Sequence, residues 1–301
     1  MKIRIDENND GNRIDSFLAE MFPNVSRSKL QAQIKKGICF INGNAVKPSY
    51  KLKAEDSIEF DPIFLDVALE LKPENISIDV LWEDENMAVV NKPSGMLTHP
   101  TINEMSGTLV NALLNKYGKT GLSDINGELR PGIVHRLDRN TSGLIMIAKN
   151  NKTHEFLVEE MKEKRFCKKY LAIVKGDLDK NEFAIDLPLG RHLTQPHKQA
   201  VRDDGKESLT LVKVLERLNG ATLVELTLIT GRTHQIRVHM ASIGHPVYND
   251  TLYGFGKMKI NTEEQVLQAY KLEFTRPFTQ ERILLEIEPD SKITKVLNAL
   301  K

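Results

Sequence analysis

Pro131-Gly132-Ile133-Val134-His135-Arg136-Leu137-Asp138-Arg139-Asn140-Thr141-Ser142-Gly143 is the most informative stretch of the chain. It is a polar, turn-rich loop that leads into an apolar run, Leu144 to Ala148, whose length and flanks predict a buried strand. A single carboxylate, Asp138, stands between Arg136 and Arg139. Neighbouring positive charge favours its ionised form. An ionised carboxylate can attack a sugar carbon or stabilise a cation developing there. The arginines suit phosphates and the extrusion of a nucleotide. The residues alone leave a second reading open, in which Asp138 only pairs with an arginine or caps a turn.

Outward from this loop, the chain reads as two parts. Ile14, Phe17, Leu18 and Met21 recur at helical spacing, and Ser26 caps a second helix carrying Leu30 and Ile34 that Gly37 ends. Strand Ile38 to Ile41 runs into an Asn42-Gly43 hairpin turn, and strand Ser57 to Phe60 closes a compact unit over residues 1–62. Residues 63–75 read as a linker. In the second part, 76–301, strands are expected at Val80 to Trp82, Met87 to Val90, Leu144 to Ala148, Lys169 to Val174, Leu209 to Val214, Thr222 to Ile229 and Ile283 to Ile287. Helices are expected around Leu109 to Tyr117, Phe156 to Met161 and Ile236 to Ile243, with a short one at the end. Several strands follow one another without a helix between them. The fold class is therefore α+β, with a mixed, largely antiparallel sheet.

Composition narrows the setting. The 301 residues are 40% hydrophobic and 28% charged, as in an ordinary globular protein. Two distant cysteines make neither a disulfide framework nor a zinc motif, and no apolar run could span a bilayer, so a cytoplasmic protein with no membrane association is expected. Net charge is only +1, yet eleven Lys and Arg face five Asp and Glu between Arg130 and Lys175. For a charge cluster by itself a solvated helix face is the preferred reading, and charge alone does not decide. The chain has no GxGxxG, no GxxxxGK[ST] and no HExxH, which disfavours a methyltransferase and other nucleotide- or zinc-dependent chemistries. A glycosidase would need a second acid near Asp138, and none stands out.

The quoted loop resembles the signature of the RluA/RluD family of RNA pseudouridine synthases. Three further stretches resemble that family in the right order: Asp84 to Gly95 with His99-Pro100, Lys168 to Gly176, and Thr230 to His239, continued by Gly244-His245-Pro246 and Tyr253-Gly254. Two positions depart from the pattern, Asn140 in place of Asp and Asn249 in place of Gly; Asn249 can take the left-handed backbone a glycine would adopt. Arg13-Ile14-Asp15 through Ser26 to Leu30, then Gly37 and Ile41-Asn42-Gly43, resembles the small αL-type RNA-binding domain first known from a small-subunit ribosomal protein.

The resemblance implies an isomerase that needs no cofactor and no metal and that turns uridine into pseudouridine in structured RNA, most like the members that modify large-subunit ribosomal RNA. The substrate would be ribosomal RNA or a pre-ribosomal particle, and the enzyme a monomer. Asp138 would be the catalytic carboxylate, Arg237 its partner, and Tyr170 the residue stacked on a flipped base. From spacing alone, Tyr170 fits either a packed core or a site, and Arg237 a helix surface. Arg136 and Arg139 would meet RNA near the target, and Arg27, Lys29, Lys35 and Lys36 would meet phosphates from the small domain. His234 and His239, five residues apart on a helix, face different directions and are expected to be structural or RNA-contacting rather than a metal pair. The opposing reading, an inert RNA-binding assembly factor, is disfavoured because Asp138, Tyr170 and Arg237 are all present.

Overall fold

The computed structural model describes residues 1–23, 25–60, 71–101, 104–195, 197–255, 258–279 and 281–301. The expected linker therefore lies outside the described residues up to residue 70. The chain forms two compact units: residues 1–78, 97–134 and 147–154 make the first, and residues 79–96, 135–146 and 155–301 the second.

The first unit carries a four-stranded antiparallel sheet in the order β1 (Lys2–Arg4), β4 (Ser57–Phe60), β2 (Cys39–Ile41), β3 (Asn44–Ala45). Asn42 and Gly43, at φ 51° and 78°, make the tight turn between β2 and β3. Helix α1 (Ile14–Met21) buries Ile14, Phe17, Leu18 and Met21 along one stripe. Ser26 caps α2 (Arg27–Lys35) by accepting the Lys29 N–H at 3.3 Å, and Leu30 and Ile34 face inward. Phe22 and Phe60 meet edge to face with centroids 5.4 Å apart in this core. Each such fully buried apolar side chain contributes roughly 1.5–3 kcal/mol. Helix α3 (Leu109–Tyr117), started by a Thr108–Asn111 capping box, belongs to the same unit. Residues 127–130 reach the small sheet: Gly127 bridges Ile3, and Arg130 pairs with Asp6 at 2.9 Å.

The second unit carries nearly all of a nine-stranded sheet. Its strands are β5 (Asp79–Glu83), β6 (Met87–Lys92), β7 (Ser142–Ala148), β8 (Cys167–Lys175), β9 (Glu182–Asp186), β12 (Leu209–Leu218), β13 (Ala221–Leu228), β14 (Leu267–Thr275) and β15 (Arg282–Glu286). The order is β5-β6-β7-β14-β8-β13-β12-β9, with β15 pairing β14. The β7–β14 pair is parallel, and the other pairs of described register are antiparallel. A two-stranded hairpin, β10 (Leu189–Arg191) with β11 (Gln199–Val201), stands apart from the sheet. Helices α4 (Asn151–Lys162), α5 (Gln235–Ser242) and α6 (Ser291–Leu300) complete the chain. The mixed α+β class is as expected. Sequence patterning missed β9, β14 and the hairpin.

Gly143 shows why the quoted loop ends on glycine. Its φ is +112°, and a Cβ there would stand 2.1 Å from the Ala269 carbonyl oxygen on β14. The loop can therefore enter β7 and pair with β14 only with no side chain at this point. Among the described residues no helix is long and apolar enough to cross a membrane.

Candidate active site

Asp138 opens a turn in which the Thr141 N–H donates to the Asp138 carbonyl at 3.1 Å. Five groups from other segments of the unit hold this turn. Lys92, the last residue of β6, is fully buried and its Nζ donates to the carbonyls of Pro93, Met96 and Arg139 at 2.8, 2.8 and 3.1 Å. Burial pulls its pKa down to about 7, but three carbonyl acceptors match the three N–H bonds of an ammonium and favour the charged form. Ser94 Oγ and Lys292 Nζ both donate to the Asn140 carbonyl, at 2.8 and 3.0 Å. Gln265 donates to Thr141 Oγ1 at 2.9 Å, and Ser142 Oγ donates to Asp290 at 2.5 Å. Asp290 also caps α6 by accepting the Ile293 N–H. A turn held at consecutive residues by separate segments has little freedom to move Asp138.

The Asp138 side chain itself is 17% exposed. Arg237 on α5 donates Nη1 to Asp138 Oδ2 at 2.9 Å, while its Nε and Nη2 clamp the fully buried Asp250 at 2.7 and 2.9 Å. Asp250 thus fixes the guanidinium plane and leaves one edge for Asp138. The same guanidinium lies over the Tyr253 ring, 5.1 Å from its centroid. Burial works against charge on Asp138, but the fields of His234, Arg237 and Arg136 outweigh it and hold the carboxyl below its ordinary range. Arg237, its pKa raised against burial by Asp250 and Asp138, carries charge throughout the working pH range; His234 adds to the field only when protonated. Among the described residues, Arg237 supplies the one protein hydrogen bond to this carboxylate, through Oδ2, so Oδ1 keeps its accepting capacity.

Tyr170 lies on β8 opposite Leu226 and Ala269 and is buried, 6% exposed. Burial and then the Asp138 charge push its hydroxyl far above the ordinary tyrosine range, so it is a phenol and not a phenolate. The structure therefore brings Asp138, Arg237 and Tyr170 into one neighbourhood, with Arg136 near enough to act on Asp138. The Arg139 side chain is exposed, and it is its carbonyl that Lys92 holds.

In the other unit Lys29, Lys35 and Lys36 are exposed on or just after α2. Arg27 is exposed as well, but its guanidinium is tied to Asp15 at 3.1 Å, so it serves the local fold too. His239 is buried between Thr210 Oγ1 and the Leu187 carbonyl, a structural role, whereas His234 faces Asp138. Sequence reading assigned no part to Asp250, Tyr253 or Lys92. The signal for Lys92 was a lysine two residues beyond the apolar run Met87 to Val90, on the same strand.

A family model described as RNA pseudouridylate synthase matches residues 86–242, more than half of the chain. The chain belongs to the RNA pseudouridylate synthase family. It is accordingly an isomerase that acts on RNA. An S4 domain model matches residues 12–58 of this synthase, within the expected small RNA-binding domain. An Aquifex aeolicus protein named as an uncharacterized RNA pseudouridine synthase is 44% identical, over 96% of this chain and 94% of its own. The ribosomal large subunit pseudouridine synthase D of Xanthomonas campestris is 36% identical, over 97% of this chain and 89% of its own. The solved structure of human RNA pseudouridylate synthase domain containing 1 has the same fold, with a TM-score of 0.57 and 24% identity over 75% of this chain and 95% of that one.

Proposed function

We propose that this synthase isomerises uridines in large-subunit ribosomal RNA and that Asp138 acts at the ribose. The observation that carries the catalytic reading is the carboxylate held by Arg237 through one oxygen, with the other open. The isomerisation breaks the N1–C1′ bond and forms a C5–C1′ bond, while a proton leaves C5 and one is taken up at N1. An ionised Asp138 can attack C1′ or remove the 2′ proton; both routes need the carboxylate charged and fixed. Tyr170 stacks on the extruded uracil and relays the C5 proton, receiving one as it gives up its own. Arg136 and Arg139 hold RNA beside the target, and Arg27, Lys29, Lys35 and Lys36 meet phosphates farther away.

The large-subunit substrate is supported by the full-length similarity to ribosomal large subunit pseudouridine synthases D. We place the boundary of the small domain near residue 62 and the start of the catalytic domain near residue 76. Mapping pseudouridine across total RNA from cells with and without the gene tests the substrate. Loss of a large-subunit site supports it, and loss confined to transfer RNA overturns it.

A further inference from the structure

His234 is the one non-glycine residue at the start of a described helix held in a left-handed conformation, with φ 55° and ψ 17° at the N-cap of α5. Such a backbone is strained in a residue with a side chain, and it tends to persist where it aims that side chain. Here the aim is specific. His234 Nδ1 is 2.7 Å from the Tyr253 hydroxyl, and Nε2 is 3.8 Å from Asp138 Oδ2, the oxygen that Arg237 holds.

The tautomer follows from counting protons. The Tyr253 oxygen already accepts the Gln199 N–H at 2.8 Å, at the start of β11. Among the described residues, the acceptor within reach of its own proton is His234 Nδ1. Tyr253 therefore donates to Nδ1, and the single imidazole proton of neutral His234 sits on Nε2, facing Asp138. The chain of donors runs from Gln199 through Tyr253 to His234, whose Nε2 stands 3.8 Å from the carboxylate, longer than a hydrogen bond but close enough for its N–H dipole to act on it. Tyr253 keeps its proton over the working pH range, since burial pushes it up to about 12.

We propose that His234 is a positioning residue for the isomerisation, offering Asp138 a neutral N–H that Tyr253 orients. This rests on Asp138 being the catalytic carboxylate. A neutral donor steadies the carboxylate without neutralising it. A protonated His234 would add a cation beside Arg237 and Arg136, pair with Asp138 and blunt its reactivity; it would also turn an N–H toward Tyr253 and break the donor order. The groups facing His234 are Asp138 and Arg136 from the loop, Arg237 from its own helix, and Asp250 and Tyr253 from the segment after it. Burial holds the imidazole below its ordinary 6.5, so the neutral state prevails near pH 7.

The test is the pH dependence of kcat on an RNA transcript, from about pH 8 to about pH 5. The parent enzyme should lose kcat on the acid side with a midpoint below 6.5. His234→Gln should lower kcat about tenfold at neutral pH, leave KM for RNA unchanged and abolish that acid limb. The same limb in His234→Gln overturns the proposal. If that variant does not fold, Tyr253→Phe decides: lower kcat with a shifted limb supports it, and an unchanged profile overturns it. Asp138→Asn runs beside them. An active Asp138→Asn defeats the carboxylate reading itself, whereas an inactive one with an unaltered His234→Gln profile defeats only the role of His234.

Discussion

An Arg-apolar-Asp pattern recurs in this chain, and two of its copies, Arg13-Ile14-Asp15 and Arg136-Leu137-Asp138, have opposite outcomes. In the first unit Asp15 is fully buried and saturated. Arg13 donates to both its oxygens at 2.9 Å, Arg27 reaches both at 3.1 Å, and Gln31 adds a bond of 2.5 Å. In the second unit the carboxylate turns to Arg237, which is already shared with Asp250, and keeps an oxygen open. Pairing with arginine is common to both, so it cannot be what makes a site reactive. The difference lies in the hydrogen-bonding capacity left over once the fold has taken its share.

The largest effect that sharpens this contrast is on Asp138→Asn. Product formation on an rRNA transcript should fall by at least about 10³-fold, with RNA binding and melting temperature nearly unchanged. Turnover near the parent value would erase the distinction between the two aspartates. Next comes Arg237→Met, which leaves Asp250 buried without its cation. Here both kcat and melting temperature should drop, kcat by about 10²-fold, because the residue serves the carboxylate and the core together. Tyr170→Phe should bind RNA normally and turn over about tenfold more slowly. Equal rates would reduce Tyr170 to a stacking surface.

Asp15→Asn should do the reverse of Asp138→Asn, lowering the melting temperature of the first unit by roughly 5 °C while the chemistry persists at saturating RNA. The sign of its pH dependence is set by the bonds from Arg13, which with those from Arg27 and Gln31 outweigh burial and hold the carboxyl below its ordinary 3.8. The stability it contributes is therefore fully present above about pH 4 and is lost as pH falls toward its folded pKa. Acid titration followed by circular dichroism should show that loss in the parent and a weaker one in Asp15→Asn. The smallest effect belongs to the exposed lysines. Lys35→Gln with Lys36→Gln should weaken RNA binding and flatten its log–log salt dependence by roughly one unit for each phosphate no longer neutralised. Removing residues 1–62 is the blunter experiment, because it would also cut the Arg130–Asp6 pair and the bridge from Ile3 to Gly127.

Much of this was legible in the sequence, for physical reasons. The α1 stripe, the Ser26 cap, the Asn42-Gly43 turn and the all-apolar β7 announce themselves through local spacing. Asn249 also meets its expectation, at φ 58°. Strand β14 did not, because its first half is buried on both faces and includes Gln268, which hides the alternation of a strand. The grip of Asp250 on Arg237 could not be read either. The two residues lie on either side of a helix end, and only the fold brings their side chains edge to edge. His234 looked like a helix residue of no fixed role until its left-handed backbone showed where it points.

The turn at 138–142 carries one more consequence, for the order of events in folding. Its holding bonds join residues 46 positions apart at Ser94, 152 at Lys292 and 148 at Asp290. Contacts between such distant parts of a chain form slowly, because loop closure must precede any gain from the contact. The geometry around Asp138 should therefore appear after the strands have paired. In a refolding experiment, activity would return behind secondary structure, and weakening α6 would delay activity more than it delays the sheet.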